Sequence, residues 1–179
     1  MRGWLSVPLL LLAMAGAAHA AGAPLAGGKL PNGGRPLERV AFPAIHDWST
    51  LKITLQRTMC FGRCPAYTVE IAGDGTVNWH GSSDVAAIGA RGDKISAADV
   101  KILFGAFRDA DFFWLLDNYN AQITDLPSYI VSIAYDGRRK TVSDYAGLMI
   151  GMPHAVVDLE TLIDKTANTG RWIKADEPR

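Results

Sequence analysis

The chain carries two cysteines, Cys60 and Cys64, set three residues apart in Met59-Cys60-Phe61-Gly62-Arg63-Cys64-Pro65. Such a pair offers three chemistries: a structural disulfide, a redox-active dithiol, or a thiolate metal site completed by a histidine such as His80. The spacing is CxxxC, not the CxxC of thioredoxin-like centres, and no helix signal begins at the first cysteine to depress its pKa. Phe61, Gly62, Arg63 and Pro65 shape the loop. Gly62 eases a tight backbone, and Pro65 stiffens the exit. This combination favours a structural disulfide. His46, His80 and His154 are far apart and lack paired ligand spacing, so neither a metal nor a cofactor is expected.

Acid–base chemistry needs carboxylates that converge. Asp125 and Asp144 flank expected strands, and Tyr145 stands beside the second; a cleft shared with Arg57 or Arg63 would suit a hydrolase. Each also has a plainer reading. Asp125 precedes Leu126-Pro127 and fits a turn residue bonding its own backbone, and Asp144 fits a solvated strand-end charge. There is no Gly-x-Ser-x-Gly elbow, phosphate-binding glycine loop or dinucleotide fingerprint. The tripeptide Arg91-Gly92-Asp93, used by some adhesion ligands, falls in an expected turn ahead of Ser96. Whether the chain is an enzyme stays open at this point, with the balance against it.

Residues 1–20 have the layout of a secretory signal. Arg2 is the positive start, Leu5 to Ala15 is apolar, and Ala18-His19-Ala20 is a small-x-small cleavage pattern, so Ala21 should begin the mature chain. The apolar run falls short of the roughly 20 residues a spanning helix needs. No second spanning segment is expected after cleavage. A periplasmic or secreted protein follows, and in either compartment the two thiols would be oxidised. The 18 basic and 18 acidic side chains balance, and loss of Arg2 leaves about −1. No Lys/Arg stripe points to nucleic acid.

The elements that must position these groups follow from periodicity. Residues 21–48 include a Gly/Pro/Ala-rich stretch expected to be a flexible leader, with Val40, Phe42, Ile45 and Trp48 placed to lie over the domain edge. A single domain is expected over 49–175. Leu51, Ile53 and Leu55 alternate with polar residues, as do Tyr67, Val69 and Ile71, which is the period of half-buried strands. Asp74-Gly75 and Asp136-Gly137 are hairpin turns. Val77 and Trp79 continue on a third strand, and residues 84–91 suit a fourth. Residues 128–135 and 139–145 form a later pair. Ser96 caps a helix with Val100, Leu103, Phe104 and Phe107 on one face, ending near Ala110. Phe112 to Leu116 reads as core, and 117–127 as irregular. A last helix starts near Pro153, buries Val156, Leu159, Leu162 and Ile163, and stops at Gly170. The fold class is α+β: an antiparallel sheet of five to six strands with two helices packed on one face.

Several of these segments resemble a bacterial family of domains of unknown function, DUF6438. The residues that carry the resemblance are Ile53 to Thr58, Cys60-Phe61-Gly62-Arg63-Cys64-Pro65-Ala66-Tyr67, Gly73 to Val77, Lys94-Ile95-Ser96, Phe112-Phe113 and Thr124 to Pro127. It spans residues 49–172, and Cys-Phe-Gly-x-Cys-Pro is its most specific part. The resemblance implies domain boundaries and a meaningful cysteine loop, but no catalytic residue. The expected function is a non-enzymatic binding or structural module of the cell envelope, with an unknown protein or envelope component as partner. The alternative is a periplasmic enzyme, thiol-redox at Cys60/Cys64 or a hydrolase using Asp125, Asp144 and Tyr145.

Closing a five-residue loop contributes roughly 2 kcal/mol in the chain-entropy account. Replacing Cys60 and Cys64 together by Ala should therefore lower stability by about 1–3 kcal/mol and keep the fold. Urea unfolding measures the loss. A redox dithiol would instead be reduced readily in glutathione buffers.

Overall fold

The computed structural model describes residues 41–174; the expected signal sequence over 1–20 and the leader up to residue 40 lie outside them. Seven strands form one sheet: β1 Lys52–Arg57, β2 Ala66–Ala72, β3 Thr76–Ser83, β4 Gly89–Lys94, β5 Asn118–Asn120, β6 Tyr129–Tyr135 and β7 Arg138–Tyr145. Their order is β4-β3-β2-β1-β6-β7-β5. All neighbours run antiparallel except β5, which pairs parallel to β7. Helices α1 (Ala97–Asp109) and α2 (His154–Ala167) and the short α3 (Gly170–Ile173) complete the domain. This is the α+β architecture expected, with a strand or two more.

The alternation seen in the sequence fixes the register. Ile53 lies opposite Ile71 and Ile133, and Leu55 opposite Val69 and Val131. A slip of one residue would turn all of them to water. These aliphatics join Val100, Leu103, Phe104 and Phe107 of α1 and Val156, Leu159 and Ile163 of α2 in one core. On the other face, polar groups such as the Lys52–Glu70 ion pair at 3.1 Å meet solvent.

The turn chemistry acts where the sequence placed it. At the β6–β7 hairpin both Asp136 and Gly137 have positive φ, 48° and 75°, the geometry whose twist matches the flanking strands. Ser96 Oγ accepts from the Asp99 amide at 3.1 Å and caps α1.

Tertiary contacts override the local pattern in four places. Residues 84–88 are not strand. They fold back so that the Ala87 carbonyl accepts from Trp79 Nε1 at 3.0 Å, and a Cβ on Gly81 would sit 2.1 Å from that carbonyl. The fourth strand therefore starts later, at Gly89, and carries Arg91-Gly92-Asp93 on the sheet edge, with Asp93 bonded to Arg171. Within 117–127, Asn118–Asn120 form β5, a three-residue edge too short to show a period. Of the aromatic run only Phe112 is fully buried; Trp114 and Leu116 are exposed. Asn168, in the left-handed conformation at φ 51°, ends α2, and Gly170 opens α3.

Residues ahead of the first strand pack on the domain. Phe42 stacks edge-on with Phe104 and Phe113, and the Tyr135 hydroxyl donates to the Pro43 carbonyl at 2.8 Å.

Leu159 is almost wholly buried, whereas Leu162, expected beside it, is only half-buried and lines a groove between α1 and α2. Leu159→Ala should cost about 2–5 kcal/mol in urea unfolding. Leu162→Ala should cost roughly 1 kcal/mol.

Candidate functional site

The inward face of the sheet changes character at one end. Along β1 the inward positions are Ile53, Leu55 and then Arg57. Arg57 pairs across to Tyr67 on β2 and Tyr129 on β6. Its guanidinium carbon lies 4.4 Å from the Tyr129 ring centroid and 5.9 Å from that of Tyr67. Helix α2 crosses above and supplies Asp164. Arg57 Nη2 and Nε donate to its Oδ2 at 2.6 and 3.0 Å, and the Tyr67 and Thr169 hydroxyls donate to its Oδ1 at 2.7 and 2.8 Å. Burial disfavours the Arg57 cation, but the Asp164 carboxylate, together with Tyr67 and Tyr129, offsets this and holds its pKa above the usual value. Burial, then the Asp164 charge, pushes the Tyr67 phenol far up, so Tyr67 stays a neutral donor.

A second acidic pair lies alongside. Asp144 is the inward residue after Val142 on β7 and is buried. One of its oxygens accepts from the Gly147 amide at 2.6 Å, where the chain enters a 3-10 turn, Gly147–Ile150. A Cβ at Gly147 would lie 2.7 Å from the Tyr119 Cβ and 2.9 Å from that carboxylate, so only glycine fits. Glu160 projects from α2 one turn before Asp164. It is 3% exposed, and its Oε1 is buried with no hydrogen-bond partner among the described residues. Burial first, then the negative charge of Asp144, pushes its pKa up to about 8, with a hydrogen bond to Asp144 favouring the protonated form. At neutral pH Glu160 therefore keeps its proton.

A cleft of about 380 Å³ opens over this pair, walled by Leu126, Pro127, Tyr129, Leu148, Met149 and Val157, with Arg57 at its side. A second cleft of about 290 Å³ shares Arg57, Pro127 and Tyr129 and runs to Cys64 and Arg63. The Cys60–Cys64 disulfide closes the β1–β2 loop with the Cα atoms 5.7 Å apart. That loop is tied to the one before β6: Thr58 N donates to Ser128 O at 3.0 Å, Ser128 N to Thr58 Oγ1 at 2.8 Å, and Phe61 N to Asp125 O at 3.2 Å.

Of the residues singled out from sequence, Arg57 and Asp144 meet in the larger cleft. Asp125 lies on the exposed loop at φ 73°, its side chain accepting from Thr124 Oγ1 at 2.9 Å. The Tyr145 hydroxyl instead accepts from Leu126 N at 3.4 Å, steadying that loop. The Arg63 side chain is 94% exposed and pairs with Asp84 at 3.7 Å. Phe61 projects into solvent at 87% exposure. Among the described residues no three His, Cys, Asp or Glu side chains could hold a metal together. Sequence reasoning missed Tyr67, Tyr129, Glu160 and Asp164. A signal was present for Glu160: it is the one acidic residue in phase with Val156, Leu159 and Ile163 on the buried face of α2.

A family profile described as a domain of unknown function, DUF6438, matches residues 51–167, and the chain belongs to that family. No curated protein matches the sequence.

Glu160 binds its proton more tightly folded than unfolded. It therefore supports folding fully below about pH 4.5, its ordinary value, and that support is lost as pH rises towards 8. Glu160→Gln keeps the neutral shape. Urea unfolding of the variant should show a flatter pH profile between about pH 5 and 8, and at pH 8 it should be the more stable by on the order of a few kcal/mol. Parallel profiles for the two proteins would contradict this.

Proposed function

We propose that this chain is an exported binding module of the cell envelope, which recognises a protein or envelope component through the loop end of its sheet. One observation carries the reading. Of the ten exposed large hydrophobic side chains among the described residues, six sit on three loops at this end: Met59 and Phe61, Leu126, and Leu148, Met149 and Ile150. Leu126, Leu148 and Met149 also wall the larger cleft. An apolar cluster around a cleft, held in water, is a feature of interaction surfaces. The two methionines are adaptable contacts, able to follow an irregular partner.

The scaffold under the rim is rigid where the rim is exposed. The disulfide pins the first loop, paired hydrogen bonds join it to the second, and Asp144 anchors the third. The signal-like residues 1–20 and the disulfide support export. Among the described residues no helix is long and apolar enough to cross a membrane.

A second reading, acid–base enzymology, draws on Glu160. A carboxyl held protonated to about pH 8 in a cleft, beside the Asp144 carboxylate and Arg57, is an arrangement found in catalytic sites. Were the chain a hydrolase, Asp144 and Glu160 would do the work, not Asp125 and Tyr145.

The test is affinity capture from the native periplasm with the mature chain, set against Phe61→Ser/Met149→Ser. N-terminal sequencing of the exported protein should begin at Ala21. Wild type should retain partners that the equally stable double variant loses. Identical retention by both would overturn the docking reading, and a chain still beginning at Met1 would overturn export.

A further inference from the structure

The rim accounts for the apolar walls of the larger cleft but not for its floor. Two carboxyl groups lie there, Asp144 and Glu160, 6% and 3% exposed, beneath walls whose Leu126, Leu148 and Met149 are open to solvent. Burying two carboxyls side by side is costly, and an aliphatic pair would serve packing better. Their acceptor capacity is also in surplus. Glu160 Oε1 has no partner among the described residues, and beyond its hydrogen bond with Glu160, Asp144 accepts from one backbone amide, that of Gly147.

The neighbouring cation does not fill this need. Arg57 directs both of its recorded side-chain hydrogen bonds to Asp164 and lies over the Tyr129 ring. Arg57 is paired with Asp164, and among the described residues no salt bridge reaches Asp144, so the floor keeps the negative charge of Asp144. An ammonium group matches it, having three donors and no acceptor. A hard divalent cation such as Ca²⁺ or Mg²⁺ does not: it takes six or more oxygen ligands, and among the described residues no three His, Cys, Asp or Glu side chains are placed to hold a metal. The aliphatic walls Leu126, Leu148, Met149 and Val157 suit a short alkyl chain, and about 380 Å³ is ample for one.

We propose that Asp144 and Glu160 form the floor of a site for a primary ammonium group carried on an apolar stem, as presented by a lysine side chain or a free amino terminus of a docked chain. The proposal rests on the docking reading and deepens it by naming the polar anchor beneath the rim.

Binding has a proton signature. The groups facing Glu160 are Asp144 from β7, Arg57 from β1, and Asp164 on its own helix, with Tyr129 of β6 in the same wall. A bound cation replaces the Glu160 proton, so Glu160 releases it on binding. Affinity should then rise by up to roughly tenfold per pH unit until Glu160 ionises unaided.

The experiment is an NMR titration of the mature full-length protein with n-pentylamine, and with 1-pentanol as the neutral isostere, from pH 6 to 8. Saturable shifts at Gly147, Leu148 and Met149, tightening about tenfold per pH unit for the amine alone, are expected. Glu160→Gln, which keeps the fold, should weaken the amine at pH 8 by about tenfold or more and abolish the pH dependence. Equal affinity for the alcohol, a pH-independent amine affinity, or an unchanged Glu160→Gln would each overturn the proposal. Nα-acetyl-lysinamide and leucinamide then tell a side-chain amine from an amino terminus, and tight binding of either supports it. Failure here with partner capture intact removes only the ammonium site. Loss of capture specificity with amine binding intact removes only the docking reading.

Discussion

The carboxylate of Asp164 holds the working end of this domain together. It accepts four hydrogen bonds from three separate stretches of chain: two from Arg57 at the end of β1, one from Tyr67 at the start of β2, and one from Thr169 just past α2. An arginine at an inward sheet position is tolerable only with such a partner, because an unpaired buried cation is far more costly than a missing hydrophobic contact. The pairing fixes α2 over the sheet, and with it the heights of Glu160 above Asp144 and of the chain reversal that leads to α3. The stacked Tyr67 and Trp79 rings, 4.3 Å apart, extend the same fixed region toward Trp172 of α3, 5.2 Å from Trp79.

A division of labour follows. Arg57 and Asp164 satisfy each other and are structural, whereas the buried Glu160 keeps one oxygen, Oε1, without a hydrogen-bond partner among the described residues. A hydrogen-bonded ion pair repays its desolvation through geometry. A buried carboxyl oxygen with no partner gains nothing to offset its desolvation, and such groups are concentrated where a protein meets a ligand. Glu160 and Asp164, one member of each pair, sit one helical turn apart on α2, so a single helix contributes to both the anchor and the cleft.

The loops around this end are restrained for the same reason. Met59, Phe61 and Leu126 present apolar surface to water, which favours collapse onto the domain or association with another molecule. The disulfide, the Thr58–Ser128 exchange and the glycine-only approach at Gly147 keep that surface displayed. Its display costs stability locally, and the continuous core beneath α1 and α2 supplies the margin.

Much of the fold was legible because it depends on short-range periodicity. Alternation at Leu51, Ile53 and Leu55, the Asp-Gly turns and the Ser96 cap are local instructions, and they determined the antiparallel pairs and α1 without knowledge of the rest of the chain. The cysteine loop was legible too, since two thiols at close spacing have one partner each. The reading of residues 1–20 as an export signal is also local, a matter of composition and order along the chain. Where residues 84–88 go, why Asn118–Asn120 pair with β7 and which residue ends α2 were decided by tertiary contacts that outweigh weak local preference. The site belongs to this second class. Arg57, Tyr67, Tyr129, Asp144, Glu160 and Asp164 come from four strands and a helix spread along most of the domain; Arg57 and Asp144 stand out as candidates and Glu160 is in phase with the buried face of α2, but nothing local sets any of them beside another. Only the strand register and the crossing of α2 bring them within hydrogen-bonding distance, because the pairing energy of distant charges depends on a separation that no sequence spacing encodes.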